Sequence, residues 1–166
     1  MSTPEFVLAL REKVGHAPLW LTGVTAVVVR DPDAADPEVL MVRRADNGEW
    51  TPVTGIVDPG EHPADAAVRE VAEEAGVEAV PLRLARVGVT DPGVYPNGDQ
   101  VQFIDFVFRL AWRSGDPHPA DGENTEARWC RVSELPPVLD RIRERLDAGL
   151  SDEERTAFFA DGALVR

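Results

Sequence analysis

Gly55, Glu61, Arg69, Glu70, Glu73 and Glu74 fall at fixed offsets and are closed by Gly76-Val77, so the segment reads G-x5-E-x7-R-E-V-x-E-E-x-G-V. Carboxylates grouped around one guanidinium, beside a glycine turn, can do two kinds of chemistry. Their oxygens suit hard divalent cations, and Mg2+ in particular keeps waters and substrate phosphates in its shell. A carboxylate beside a cation-activated water can also take its proton. Glu70 and Glu74 are i,i+4 neighbours, and like charges so placed destabilise a helix by roughly 0.2–0.5 kcal/mol. A bridging cation accounts for that arrangement. A solvated acidic face is the competing reading for any single glutamate, but it does not account for the full spacing with both glycines in place.

The elements that position these groups follow from local patterning. Pro63 suits a first helical turn and Gly76 the position just past a helix end. Between them Ala64, Val68, Val71 and Ala75 recur at helical spacing as one apolar stripe, and Glu70, Glu73 and Glu74 are expected on the opposite side. Arg69 precedes Glu73 by one turn and can hold it. Glu61 sits at the helix entrance, where the dipole favours an acid, and can pair with Arg69. Upstream, residues 4–14 read as a helix, 21–30 as a buried strand, 31–37 as a turn, 38–44 as the returning strand and 50–53 as a short strand entering the glycine loop. Downstream, residues 82–90 and 101–112 read as strands joined by a loop over 91–99 long enough to be functional. Residues 113–124 form a second polar loop and 127–132 a further strand. A helix is expected from Ser133 through Val138, Ile142 and Leu146, and Ser151 with Glu154 reads as a capping box for a last helical turn. Strands interleaved with a few helices indicate an α/β fold with a mixed β-sheet.

The full spacing resembles the box of the Nudix family of hydrolases, and the order of the flanking elements is similar to that family over roughly residues 23–146. The resemblance implies an α/β/α sandwich around a mixed sheet and Mg2+- or Mn2+-dependent hydrolysis of a nucleoside diphosphate linked to another moiety. It implies Glu70, Glu73 and Glu74 as metal ligands, with Glu70 or Glu73 as general base. The backbone carbonyl of Thr54 or Gly55 would be a further ligand, and Arg69 and Glu61 the orienting pair. Many members carry Pro-Gly-Gly at the loop. Here it reads Val53-Thr54-Gly55, which keeps the second glycine and leaves Thr54 to offer its carbonyl. A loop carboxylate often completes such sites; Glu123 and Glu126 are the candidates, and Glu126, at a strand start, has the better position.

Composition bounds the rest. A chain of 166 residues with 43% hydrophobic content is expected to form one domain over 1–166, with an N-terminal helical extension over 1–20 and C-terminal helices over 133–166. No apolar run approaches about 18 residues, so no membrane span is expected. The start Met1-Ser2-Thr3-Pro4-Glu5 lacks a basic signal-peptide region, so a cytoplasmic location is expected. A net charge of −13 argues against a nucleic-acid binder, which needs a basic stripe, but leaves a small nucleotide open, since a bound cation and local arginines can invert the field in one cleft. Cys130 is alone, so no disulfide or thiolate zinc site is expected. His16, His62 and His118 show no ligand spacing.

Substrate groups can be placed only coarsely. Arg43 and Arg44 end a strand before the glycine loop; alternation sends them to opposite faces, so one can meet a phosphate. Trp20, Trp50, Tyr95 and Trp129 could stack a base, Tyr95 being the best placed, and Asp99 in the same loop could accept hydrogen bonds from a ribose or base. Pro92 resembles a position of ADP-ribose pyrophosphatases in the family and Tyr95 one of dinucleoside polyphosphate hydrolases. ADP-ribose or a nucleotide sugar is the leading expectation, and a (deoxy)nucleoside triphosphate or dinucleoside polyphosphate the alternative. From other classes, a non-catalytic nucleotide-binding regulator is the competitor, although such proteins often lose box carboxylates that are all kept here. A metal-binding structural domain is weaker, because carboxylates on an open helix make poor cages beside thiolate zinc sites. The first helix is also a candidate homodimer contact.

Overall fold

A computed structural model describes residues 3–165. Met1, Ser2 and Arg166, which bound the expected 1–166 domain and open the 1–20 extension, lie outside the described residues. The elements run α1 (Glu5–Val14), β1 (Leu19–Arg30), β2 (Glu38–Arg44), β3 (Trp50–Thr51), β4 (Val53–Ile56), α2 (Pro63–Ala75), β5 (Glu78–Val89), β6 (Gly93–Val94), β7 (Gln100–Ser114), β8 (Asn124–Arg131), a 3-10 turn (Val132–Glu134), α3 (Asp140–Leu150), β9 (Phe158–Ala160) and β10 (Ala163–Val165). The main sheet has eight strands, with the path β3-β2-β1-β7-β5 and with β4 paired to β1, β6 to β7 and β8 to β2. β1 and β7 are parallel and every other pair is antiparallel. Among the described residues no helix is long and apolar enough to cross a membrane.

The central strand explains the layering. β1 is apolar on both faces, as a strand covered on both sides must be. Val24, Ala26 and Val28 pack toward α2 with Leu40, Val42, Val53 and Val71. Val27 and Val29 pack toward α3 with Val39, Met41, Ile142 and Leu146. α1 covers a smaller cluster of Val7, Leu21, Ile56 and Val101. The result is helices on both sides of a mixed sheet. β1 pairs with β2 only at Val29–Val39 and Arg30–Glu38. Over Gly23–Ala26 it pairs instead with β4, so the two strands part and the glycine loop enters between them.

Three expectations are corrected. Residues 133–139 are not a continuous helix: after the 3-10 turn, Pro136-Pro137 hold the chain extended and α3 starts at Asp140, as expected where proline disfavours α geometry in the residue before it. The helix expected after Ser151 is absent. Glu153 N–H donates to Ser151 Oγ, but Arg83 and Arg109 donate to the Ser151 carbonyl and Ala157 exchanges backbone hydrogen bonds with Ala85 and Val87 of β5. The chain is thereby drawn along the sheet and ends in the β9–β10 hairpin. On α2, finally, Glu70 and Glu74 are buried, with Ala66, Ala67, Val71 and Ala75. At about 100° per residue Glu74 lies about 60° and Glu70 about 100° from Val71 on the same side, so both fall inside the buried arc that runs from Ala66 to Ala75. Glu73 and Arg69 alone of the group lie opposite it. The strands also run longer than their apolar cores: β5 starts at Glu78, β7 reaches Ser114 and β8 begins at Asn124.

Candidate functional site

α2 presents the acidic groups, and the two segments that meet it fix their geometry. Gly76 takes φ 64 and ends the helix in the left-handed cap that glycine adopts without strain. The last helical carbonyls are then met from outside: His118 N–H donates to Ala75 O and Ala120 N–H to Glu74 O. These bonds moor the loop before β8 against the end of α2, which brings Asp121, Glu123 and Asn124 to the same cleft as Glu70 and Glu74. At the other end, Arg69 is the hub. Its Nε and Nη2 donate to the two oxygens of Glu61 at 2.9 and 3.0 Å, and Nη2 also reaches the Ile56 carbonyl at 3.2 Å. Its Nη1 donates to Glu70 and to Glu73, both at 3.0 Å. One guanidinium thus ties the glycine loop to two helix carboxylates. Its partners raise its pKa above the ordinary arginine value, the Glu61 bond being the largest cause. Glu61 is lowered, chiefly by Arg69.

Glu70 and Glu74 are 8% and 5% exposed. Glu70 lies so close to β4 that a Cβ on Gly55 would stand 2.1 Å from its carboxyl carbon, so only glycine leaves room for the carboxylate. Burial pushes Glu70 up to about 7; Arg69 opposes the shift, and Glu73 and Glu123 add to it. Burial pushes Glu74 up to about 8, against a 2.9 Å hydrogen bond from Asn124 Nδ2, with Glu70, Glu123 and Asp121 adding repulsion. Two adjacent buried carboxylates facing further acids are strongly disfavoured as anions unless a cation neutralises them. This donor set fits a hard divalent ion, since every side-chain donor is a carboxylate oxygen. Among the described residues no three acidic, histidine or cysteine side chains form a ready-made metal cage. The Gly55 carbonyl lies toward β1, 3.6 Å from where a Gly23 Cβ would sit. Ladder alternation then turns the Thr54 carbonyl to the open edge, where Ile56 O already meets Arg69.

The cleft in front of these groups encloses about 1010 Å³ and reaches from α2 to α1. Thr54, Arg69, Glu70, Glu73, Glu74, Arg44, Tyr95 and Asp99 line it, Gly55 backs it and Glu61 stands behind Arg69. Arg44 is engaged by Asp46. Asp99 is not an open acceptor: it takes hydrogen bonds from His16 at 2.7 Å and Asn97 at 2.9 Å. Arg43 and Glu126 do not join the site. They pair with each other at 3.0 Å, half-exposed. The reason is a bulge in the β2–β8 ladder, where Arg43 faces Glu126 but Arg44 faces Asn124, and Thr125 is skipped. An extra residue in one strand reverses facing, so Asn124 turns to Glu74 while Glu126 turns away. Of the two candidates, Glu123 is therefore the one at the cleft, beside Asp121. Trp50 lies under Arg128 and Trp129 under Arg30, and Trp20 is exposed; none of the three lines the cleft. Asn124, Arg11 and Phe103 are cleft residues that patterning did not single out. Asn124 closed a polar loop, and nothing local reveals a bulge.

The NUDIX domain family model matches residues 20–150. A "MutT-like protein" of Streptomyces ambofaciens is 34% identical over 128 residues, covering 76% of this chain and 72% of its own length. An "NAD-capped RNA hydrolase NudC" of Deinococcus radiodurans is 32% identical over 130 residues, but this chain spans only 44% of that protein. Among solved structures, an ADP-ribose pyrophosphatase of Streptococcus suis superposes with a TM-score of 0.60 at 22% identity, covering 84% of this chain and 98% of its own; at that identity the likeness is one of fold.

Proposed function

Because the chain belongs to the Nudix family, whose hydrolases act on pyrophosphate bonds, we propose that it hydrolyses a nucleoside diphosphate joined to a second group, with ADP-ribose or a nucleotide sugar as substrate and Mg2+ or Mn2+ as cofactor. The observation that carries this reading is the pair of buried carboxylates, Glu70 and Glu74, at one end of a cleft far larger than a diphosphate. Glu70, Glu74 and the Thr54 carbonyl are the groups that would hold the cation, with Glu123 facing them. The bound ion would neutralise the diphosphate and make its water more acidic. Glu73, held by Arg69 yet 56% exposed at its side chain, is the carboxylate left to take the proton from the attacking water. Arg44 is the arginine placed to meet a phosphate. Arg69 and Glu61 keep Glu70 and Glu73 in position, so that no reorganisation is needed at the moment of attack. A net charge of −13 gives a polyanionic RNA backbone little to bind, which favours a small nucleotide over the capped RNA for which the Deinococcus relative is named.

The test is a panel of nucleotides with Mg2+ or Mn2+, products resolved, for the wild type and Glu70→Gln. ADP-ribose giving AMP and ribose 5-phosphate, with turnover lost in the variant and its melting intact, supports the reading. A triphosphate giving monophosphate and pyrophosphate moves the substrate to the alternative. Nucleotide binding with no turnover of any compound favours the regulator.

A further inference from the structure

The side of the cleft away from the acids is built by an element outside the matched family region. α1 ends before residue 20, yet Pro4, Val7 and Arg11 line the cleft. Val7 is buried with Leu21, Ile56 and Val101, and Phe103 packs partly buried against them. The Phe103 ring lies on the sheet at Gly23: a Cβ there would come within 3.3 Å of the ring and 3.6 Å of the Gly55 carbonyl. A partly exposed aromatic face therefore sits next to the glycine loop that holds Glu70.

α1 is fastened over this floor rather than loosely laid on it. Arg11 donates to the carbonyls of Gly15, Ala17 and Gln100, and its Nε lies 3.4 Å from Asp99. Asp99 also takes hydrogen bonds from His16 and Asn97, and its backbone N–H donates to Asn97 Oδ1. These bonds tie α1 to the tight turn that carries Tyr95, where Tyr95 N–H meets Asp99 O and Gly98 N–H meets Tyr95 O. Arg11, His16, Asn97 and Asp99 on this side of the cleft thus already have partners within the protein, although Arg11 Nε, buried, makes no hydrogen bond. What remains for a ligand is an aromatic face and an apolar floor.

We propose that the chamber between α1, Phe103 and the Tyr95 turn is the nucleobase site, that the base lies on Phe103, and that it is held by stacking and burial rather than by hydrogen bonds to its edge. This rests on the nucleotide reading above and adds to it where the base goes and how it is selected. A flat ring with two apolar faces fits that surface; a phosphate or a bare sugar, which needs donors, does not. Stacking is tolerant, because every base has a π-face. The chamber consequently accepts purine and pyrimidine diphosphates alike, and discrimination falls on the group beyond the diphosphate.

The experiment is calorimetric binding of AMP, GMP, UMP and ribose 5-phosphate to the full chain in Mg2+ buffer, for the wild type, Phe103→Ala, Phe103→Leu and Phe103→Tyr. The wild type should bind the three nucleotides within about tenfold of one another and ribose 5-phosphate more weakly. Phe103→Ala and Phe103→Leu should weaken the nucleotides roughly ten- to hundredfold, the range of one lost base stack, and leave ribose 5-phosphate within about twofold. Phe103→Tyr should restore nucleotide binding. Phe103→Leu keeps the apolar volume, so it separates a lost stack from a lost fold should Phe103→Ala melt early. Equal loss of AMP and ribose 5-phosphate, or no loss of either, overturns the base site. A hundredfold preference for one base overturns selection by stacking. A wild type that binds nucleotides regardless of residue 103 yet hydrolyses ADP-ribose removes the chamber alone; one that neither binds nor cleaves any nucleotide removes the proposed function with it.

Discussion

Removing the divalent cation should make this protein most stable in acid, and Glu74→Gln should remove the larger share of that dependence, leaving the share due to Glu70. Without a cation the folded state holds Glu70 at about 7 and Glu74 at about 8, against an ordinary value of 4.5. A raised carboxylate means that the folded state binds more protons than the unfolded state between those limits. Stability from this source is complete below pH 4.5 and is lost as pH rises through 7 and 8. For Glu74 alone, a pKa unit being about 1.4 kcal/mol, charging it by pH 8 costs the fold about 4 kcal/mol, and by pH 5 under about 1 kcal/mol. The repulsion between Glu70 and Glu74 is shared, so the two contributions do not add. Glutamine keeps the oxygen that accepts from Asn124 and deletes the charge. In EDTA at pH 8 the variant should melt above wild type by roughly 8–16 °C, at 2–4 °C per kcal/mol for a chain of this size, and the gap should nearly close at pH 5. Saturating Mg2+ should raise the wild type at pH 8 by ligand linkage and the variant much less, while the variant loses turnover. Differential scanning calorimetry across pH, with EDTA and with Mg2+, reads all of this. A Glu74→Gln protein that melts at or below wild type in EDTA at pH 8 would refute the reasoning, because Glu74 would then be comfortable as a buried anion.

Two further outcomes separate the site from its surroundings. Gly55→Ala should lower kcat by at least about tenfold and reduce Mg2+ affinity measured by calorimetry, since the new methyl occupies the place of the Glu70 carboxylate; wild-type affinity and rate would mean that Glu70 is not held against β4. Arg44→Ala should raise KM for the diphosphate substrate by roughly tenfold or more, the loss of one charged contact, whereas Arg43→Ala should leave steady-state kinetics within about twofold, because an exposed Arg43–Glu126 pair contributes little.

How much of this was legible in the chain depends on whether the signal was local. The α2 segment declared itself because Pro63, Gly76 and the glutamate spacing are all set within one helix. The facing of Glu70 and Glu74 was misread because the stripe Ala64, Val68, Val71 and Ala75 follows a single row of the helix and passes over Ala66 and Ala67. Ala66 and Ala67, with little hydrophobic weight, are what widen the buried arc until it takes in both glutamates. The choice of Glu126 over Glu123 failed for a different reason. Glu126 was preferred for its place at a strand start, but the bulge that turns it away is a property of the β2–β8 pairing, invisible in either strand alone. The C-terminal hairpin is the third kind of miss. Ser151-x-x-Glu154 is a sound local helix signal, and it was outcompeted by two arginines on β5 and β7 that take the Ser151 carbonyl for themselves.

The same division separates what the family resemblance supplies from what this chain adds. The end proposed to bind a cation rests on α2, β4 and the loop before β8, all inside residues 20–150. It is a chemistry of carboxylates made uncomfortable by burial, and the discomfort is what a cation relieves. The other end rests on α1, Phe103 and the Arg11–Asp99 contact, which joins segments far apart in sequence. There Arg11, His16, Asn97 and Asp99 engage one another and nearby carbonyls, and an apolar and aromatic surface is left. A reacting diphosphate bridging the two ends would meet charge at one and shape at the other. On the proposed reading the acidic end would set which bond is cut, and the α1 end how much of the rest of the molecule is held while it is cut.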